Sequence, residues 1–208
     1  MNKKVAILVD WENLKNTLID CRKELNRSKN DISVFSASKL LKLIKRIINP
    51  DEEIFRIYVY LSEPLREAKC GKEIYCIEQD EHGRNLYLET INFINDLKAE
   101  DYVLIRKGKT VFRGFNRNNK PIFIQKQVDL LIGLDMYKLS SDKIVDRIIL
   151  LSLDTDLIPA IKVARDNGVQ IVLPEYILKY RPLSLMLKEN ADIIRKIDIV
   201  KLFKEIYL

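Results

Sequence analysis

Short runs of aliphatic and β-branched residues recur along the chain, and none of these runs is longer than eight residues. Continuous apolar runs of this length are typical of strands buried on both faces of a parallel sheet. They predict five strands, at residues 5–9, 54–61, 102–105, 148–153 and 169–173.

Between these runs, apolar residues recur every three or four positions, which predicts helices. The predicted helices span residues 13–27, about 39–48, 86–97, 128–139, 157–167, 183–189 and 193–207. Ser36 or Ser38 can cap the second of these, and Gly168 stands in the C′ position that ends the fifth. Residues 62–84 are polar and contain Pro64, so we expect a loop with a broken helix there.

Strands that alternate with helices indicate an α/β fold. We predict three layers, with a mostly parallel central sheet of about five strands and helices on both faces. One domain spans residues 1–208, with a core at about 4–173 and a C-terminal helical segment at about 183–208. In such sheets functional residues gather at the carboxyl ends of the strands.

The composition narrows the chemistry that is open to this chain. Apolar residues make up 47% of the 208 positions and charged residues 32%, which excludes global disorder. The single histidine, His82, and three scattered cysteines cannot supply a multi-histidine zinc site or a disulfide framework. A bound metal would therefore be a hard ion held by oxygen.

No segment has the length and apolar character of a signal peptide or of a membrane span of about 20 residues. With the cysteines read as reduced thiols, we expect a cytoplasmic protein that has no membrane partner. The net charge of +6 favours a polyanionic partner only weakly. The oligomeric state is open at this stage, and a homodimer is one possibility.

Aspartates directly follow two of the predicted strands. Asp10 follows residues 5–9, Asp154 follows residues 148–153, and Asp156 lies two positions further on. If the two strands are neighbours, their carboxylates converge and repel one another unless a cation is present. Mg²⁺ or Mn²⁺ is the simplest cation for such ligands. The alternative is that Asp10 and Asp154 only cap helices.

Two more acids, Asp129 and Asp135, lie on the predicted helix 128–139. Six residues correspond to about 600° around a helix, so the two side chains diverge by about 120°. Asp129, in the first turn, is the better candidate for the acidic cluster. Asp135 is either a ligand in a wide site or a structural acid.

A basic segment without any Asp or Glu separates residues 102 and 128. Glycines and an Asn pair punctuate it, which predicts a β-hairpin or ribbon. Its aromatic residues can stack on unpaired bases, and its cations can neutralise phosphates. The candidate nucleic-acid contacts are Trp11, Arg106, Lys107, Lys109, Arg113, Arg117, Lys120 and Lys126. The alternatives are an edge hairpin protected by its charges and, for Trp11, a core position.

Three blocks of the sequence resemble the motifs of NYN domains, which are PIN-like nucleases and include the bacterial LabA-like group. The blocks are VAILVDWEN, KQVDLLIGLD and ILLSLDTDLIPAIKVARDNGVQIVL. The resemblance extends over roughly residues 4–173. Where the family has a Gly before its last acid pair and commonly another after the Lys, this chain has Leu153 and Gln127.

The resemblance implies a PIN-like fold and metal-dependent hydrolysis of phosphodiesters. RNA is the expected substrate, and the aromatic residues of the basic segment favour a single strand. It assigns catalysis to Asp10, Asn13, Asp129, Asp154 and Asp156. It assigns metal binding to Asp10, Asp129, Asp135, Asp154 and Asp156, with Mg²⁺ or Mn²⁺ as the ion. DNA remains a possible substrate.

Two other functions stay open. One is a non-catalytic RNA-binding or scaffold module on the same fold. The other is a phosphatase of the HAD type, because LDTDL resembles an Asp-x-Asp nucleophile motif. In that motif Thr or Val should stand two residues after the second Asp, where this chain has Ile158, and Asp10 would have no role.

Overall fold

Nine strands form two sheets in the computed structural model, which describes residues 2–28, 32–179 and 181–208. The strands are β1 (Lys3–Asp10), β2 (Glu52–Ser62), β3 (Glu67–Cys70), β4 (Glu73–Cys76), β5 (Val103–Phe115), β6 (Pro121–Lys126), β7 (Arg147–Leu151), β8 (Gln170–Tyr176) and β9 (Ile193–Ile197). Seven of them make the main sheet, in the order β6-β5-β2-β1-β7-β8-β9.

The main sheet is parallel from β5 to β9, and only β6 runs antiparallel to its neighbour. Its centre is β1, paired with β2 on one side and with β7 on the other. The predicted mostly parallel α/β fold is confirmed. The predicted number of about five strands is too small, because β6 and β9 extend the sheet at its two edges.

Helices cover both faces of the sheet, so the predicted three layers are confirmed. The helices are α1 (Trp11–Glu24), α2 (Ala37–Ile47), α3 (Glu81–Lys98), α4 (Val128–Ser141), α5 (Ile158–Asp166), α6 (Leu185–Asn190) and α7 (Ile199–Tyr207). Alternate residues of β1 point to opposite faces. Ile7 and Val9 pack with α1, α2, α3 and α7, whereas Ala6 and Leu8 pack with α4 and α5.

Local sequence signals set several of the helix ends. The Ser36 hydroxyl accepts a hydrogen bond from the Lys39 N–H at 3.4 Å and caps α2. Gly168 follows α5 with a φ of +87°, the left-handed conformation that favours glycine. The predictions of a Ser cap and a glycine stop are both confirmed.

Three segments differ from their predicted structure. Residues 62–84 form the hairpin β3–β4, a 3₁₀ turn at Ile77–Gln79 and the start of α3, instead of a broken helix. The third strand and the basic ribbon merge into one 13-residue strand, β5, which turns back as β6. The predicted helix 193–207 is wrong in its first part, because Ile193–Ile197 is β9.

The strand β8 also continues past Pro174, where the prediction ends it. Pairing with β7 stops at Val172, and from Leu173 to Tyr176 β8 pairs only with β9. Proline has no N–H to donate. At this position the missing donor leaves the β7 pairing intact, so the strand tolerates it.

Each helix in the described part of the chain is too short or too polar to cross a lipid bilayer.

Candidate active site at the carboxyl edge of the sheet

Asp10 is the last residue of β1 and also the N-cap of α1. Its Oδ1 accepts a hydrogen bond from the Asn13 N–H at 3.2 Å, and its Oδ2 accepts one from the Ser152 hydroxyl at 2.9 Å. The residue is 6% exposed. Asp10 therefore does cap α1, which was the alternative role considered above. It also lies at the centre of the carboxyl edge of the sheet, because β1 is the central strand.

The strand β7 brings a second pair of acids to the same edge. Because Val9 pairs with Leu151 in parallel register, the two chain segments leave the sheet side by side. Asp154 caps the 3₁₀ turn Thr155–Leu157 by accepting from the Asp156 N–H at 2.9 Å. The Asp154 side chain is half-buried and Asp156 is exposed.

Asp129 reaches the edge from the other side, in the first turn of α4. The chain turns from β6 into α4 at Gln127, whose φ of +73° is in the left-handed region. A side chain at such a φ is disfavoured, and glycine is the usual residue there. Gln127, which stands where the family commonly has Gly, therefore has a strained backbone conformation, two residues before Asp129.

The charges of these carboxylates are coupled to one another. The pKa of Asp10 is raised to about 6, mainly by burial and to a smaller extent by the charges of Asp129 and Asp154, while hydrogen bonds from Asn13 and Ser152 act to lower it. Partial burial, followed by the charges of Asp154 and Asp156, raises the pKa of Asp129. Repulsion of this kind is relieved when a cation binds.

Asn13 ties the two strand ends together. Its side-chain carbonyl accepts a hydrogen bond from the Leu153 N–H at 3.3 Å, and its backbone N–H donates to Asp10. One residue in the first turn of α1 therefore holds the loop after β7 against the end of β1. This arrangement suits Asn13 for positioning Asp10 and Asp154 relative to each other.

The donor set of this cluster is entirely carboxylate and hydroxyl oxygen, which fits a hard divalent cation better than zinc. Within residues 2–28, 32–179 and 181–208, no three His, Cys, Asp or Glu side chains are already arranged as ligands of a metal ion. Oxygens of Asp10 and Asp154 are engaged in caps instead. Binding would therefore require side-chain reorientation, which the exposed Asp129 and Asp156 can make freely.

Asp135 lies on α4 but has other partners. Arg106 donates to both of its oxygens, at 2.8 and 2.9 Å, and the Tyr60 hydroxyl donates at 2.8 Å. The Asp135 side chain is 12% exposed. These contacts support the structural alternative for Asp135 and do not support its prediction as a metal ligand.

Two of the basic residues that were predicted to contact nucleic acid are paired with acidic side chains. Arg106 is held by Asp135, and Lys107 forms an ion pair with Glu63, so neither cation is freely offered to a phosphate. The other five cations are exposed, and no described acidic side chain pairs with them. They are Lys109, Arg113, Arg117, Lys120 and Lys126. Lys109 and Lys126 face each other across β5 and β6.

Trp11 occupies the core, which was the alternative to its prediction as a nucleic-acid contact. It is 3% exposed, and its ring stacks on Phe93 with a centroid separation of 4.3 Å. An exposed base-stacking platform needs a free ring face. Trp11 therefore does not provide the platform that was predicted for it from the sequence.

Ser152 is the site residue that sequence reasoning missed. Its hydroxyl donates to Asp10 and accepts from the Asp154 N–H at 3.2 Å, so it bridges two of the acids. The signal was present, because Ser152 lies in the third motif block, two residues before Asp154. Tyr60 and Arg106, the partners of Asp135, had no such signal, since their contacts span 75 and 29 residues of sequence.

Comparisons with known proteins identify the family. The family model of the NYN domain matches residues 4–184. One solved structure, of a protein of unknown function from Vibrio parahaemolyticus, is similar with 19% identity and a TM-score of 0.49, over 96% of this chain and 95% of that one. No curated protein matches the chain.

Since the family model spans most of its length, the chain belongs to the NYN domain family, within the PIN-like nuclease superfamily. NYN nucleases act on nucleic acids, and PIN-like nuclease domains usually use divalent metal ions. The LabA-like subgroup stays a prediction.

Proposed function

We propose that the protein is a metal-dependent endoribonuclease that hydrolyses single-stranded RNA at the carboxylate cluster of Asp10, Asp129, Asp154 and Asp156. The observation that carries the proposal is the coupling of acids from three separate elements. The end of β1, the first turn of α4 and the turn after β7 bring their charges close enough to raise the pKa values of Asp10 and Asp129.

Mg²⁺ or Mn²⁺, when bound there, would supply Lewis acidity toward water and the phosphate. The protein's part is to hold the carboxylates in place. Asn13 and Ser152 fix Asp10 and the turn after β7, and the exposed Asp129 and Asp156 are free to close on a cation. Water would attack phosphorus and the bond to the 3′ oxygen would break, leaving 5′-phosphate and 3′-hydroxyl ends.

The alternative attack by the RNA 2′-hydroxyl commonly uses a general acid and a general base. The chain has one histidine, His82, in the first turn of α3, so it offers no histidine pair for this route. We therefore infer that cleavage uses water. An RNA that lacks the 2′-hydroxyl at the scissile position should still be cut.

The five exposed cations of the hairpin support a polyanionic substrate, and the exposed aromatic ring of Phe123 supports an unpaired strand. We place the activity in the cytoplasm, for which the three free cysteines are the supporting observation.

The test incubates purified protein with end-labelled single-stranded RNA in Mg²⁺, in Mn²⁺ and in EDTA, and maps the product ends. Single-stranded DNA and a phosphomonoester serve as comparison substrates. We expect cleavage only with metal, with 5′-phosphate products. Cleavage in EDTA or products with 2′,3′-cyclic phosphate would refute the mechanism. Binding of RNA without cleavage in any metal would favour the non-catalytic module, and release of phosphate from the monoester would favour the phosphatase.

A further inference from the structure

A groove with a volume of about 560 Å³ opens beside the acidic edge of the sheet. Its walls come from α1, from the hairpins β3–β4 and β5–β6, and from α3. This volume falls within the range of small-molecule pockets, about 300–1,000 Å³. The two hairpins that build it lie outside the motif blocks by which the sequence resembles its family.

Aromatic side chains make up much of the groove wall. Phe123 on β6 is 40% exposed and contacts Tyr75 edge to face at 4.9 Å. Phe35 and Tyr87 line other walls and are half-buried. The Phe123 ring is therefore packed against Tyr75 and Phe112 but leaves part of its surface open to an incoming planar group.

Polar side chains share the lining with the aromatic ones, and they are Glu12, Lys15, Ser62, Thr90, Thr110 and Gln125. Gln125 is exposed and offers an amide to the groove, since its Nε2 makes only a long hydrogen bond to Glu12, at 3.4 Å. The Ser62 hydroxyl is closed off from solvent, so it gives no contact to a ligand in the groove.

The lining of the groove begins one residue after Asp10. Trp11 and Glu12, which follow Asp10 directly, are part of its lining. Glu12 accepts from Lys15 at 2.5 Å and from Gln125, so it joins α1 to β6 at that end. A strand whose phosphate lies at Asp10 thus has the groove within reach of its neighbouring nucleotide.

We infer that this groove is a nucleobase pocket, which takes one unpaired base of the RNA strand next to the phosphate that is cleaved. The inference rests on the proposed function and adds how the single strand is recognised. Base–aromatic stacking is tolerant of sequence, because every base presents a flat π-face. A duplex cannot use the pocket, because its bases are stacked on each other.

The chemistry of the walls favours a base over an apolar protein segment. An aliphatic side chain would cover the aromatic rings but could not form a hydrogen bond with the Gln125 amide. A base stacks on the rings and also brings ring nitrogens and exocyclic groups that can bond to Gln125. The exposed cations Lys109 and Lys126 lie on the same hairpin as Phe123 and Gln125, where they suit the phosphates of the strand.

The first experiment compares Phe123→Ala with Ile122→Ala. Both residues are 40% exposed on β6, but Ile122 does not line the groove. Binding of fluorescein-labelled single-stranded RNA is measured in EDTA, so that nothing is cleaved, at several salt concentrations. Loss of one stacked base should weaken binding by about 5- to 150-fold in Phe123→Ala. The salt slope should not change, since every cation that can meet a phosphate is still present, and Ile122→Ala should bind like the wild type.

A second pair of variants tests the groove without changing Phe123, in case Phe123→Ala disturbs the local structure. Leu86→Glu puts a carboxylate into the groove from α3, whereas Leu88→Glu puts the same charge on α3 outside the lining. Only Leu86→Glu should weaken RNA binding. An abasic RNA that is scanned one position at a time completes the test. One abasic position should weaken binding to the wild type and leave binding to Phe123→Ala unchanged.

The outcomes separate the two proposals. If the wild type cleaves RNA but Phe123→Ala and Leu86→Glu bind like their matched controls, the pocket is refuted and the nuclease stands. If the wild type binds abasic and intact strands equally at every position, the pocket is likewise refuted. If the wild type neither binds nor cleaves RNA, both proposals fall together.

Discussion

The substitution Asp10→Asn should stabilise the metal-free protein while it removes the proposed activity. In the folded protein the pKa of Asp10 is about 6, against an ordinary value of 3.8, mainly because the group is buried. A difference of one in pKa corresponds to 1.36 kcal/mol, so an ionised Asp10 costs about 3 kcal/mol of folding free energy above pH 7. Asn carries no charge and is an equally good helix cap.

The sign of the effect follows from proton binding. Because the folded state has the higher pKa, it binds more protons than the unfolded state between about pH 4 and pH 6. Wild-type stability therefore falls as the pH rises through this window, and the Asp10 contribution is absent below it. The difference between Asp10→Asn and the wild type should grow from about 0.5 kcal/mol at pH 4 to about 3 kcal/mol at pH 8.

Urea denaturation in EDTA, at steps from pH 4 to pH 8, measures this difference. Asp166→Asn is the matched control, because it removes the same charge from an exposed residue at the far end of α5. It should keep the wild-type pH dependence. Parallel stability curves for the wild type and Asp10→Asn would refute the reasoning, since they would mean that Asp10 is not held in a site that disfavours its charge. Added Mn²⁺ should raise the stability of the wild type and have a smaller effect on Asp10→Asn.

Three further predictions concern neighbouring features. Asp154→Asn should lower RNA cleavage by orders of magnitude with an unchanged circular dichroism spectrum, because it removes a carboxylate and keeps the cap; cleavage at the wild-type rate would show a purely structural residue. Charge reversal at Arg113 and Arg117 should reduce the slope of log affinity against log salt by about 0.7 for each phosphate that is no longer neutralised, and an unchanged slope would place the strand elsewhere. Gln127→Gly should raise the free energy of unfolding by about 1 kcal/mol, because it relieves a φ of +73°; thermal denaturation that shows no gain would contradict this.

The acids of the site were predictable because each one directly follows a strong local pattern. Asp10 and Asp154 stand after apolar runs that only a buried strand explains, and parallel strands deliver their ends to a common edge. Gly168 and Ser36 were equally readable, since a helix stop and a helix cap depend on a few adjacent residues. The basic hairpin was visible as an acid-free stretch punctuated by glycines.

Other features depended on contacts that no local pattern encodes. The run at residues 193–197 has apolar positions that suit a helix or a strand, and it became β9 because β8 offers an unpaired edge. Asp135 and Trp11 carried a functional signal in the sequence, but each has a partner from another element: Arg106 for the acid and Phe93 for the ring.

The sequence by itself determined the α/β class, the strand-terminal acids and the basic hairpin, because hydrophobic periodicity, capping and turn chemistry act over a few residues. Only the tertiary structure decided the placement of β1 between β2 and β7, the closure of Asp129 onto that edge, and the groove between the two hairpins. These depend on which buried surfaces pair across many residues of chain, and that choice is made by the packing of the whole core.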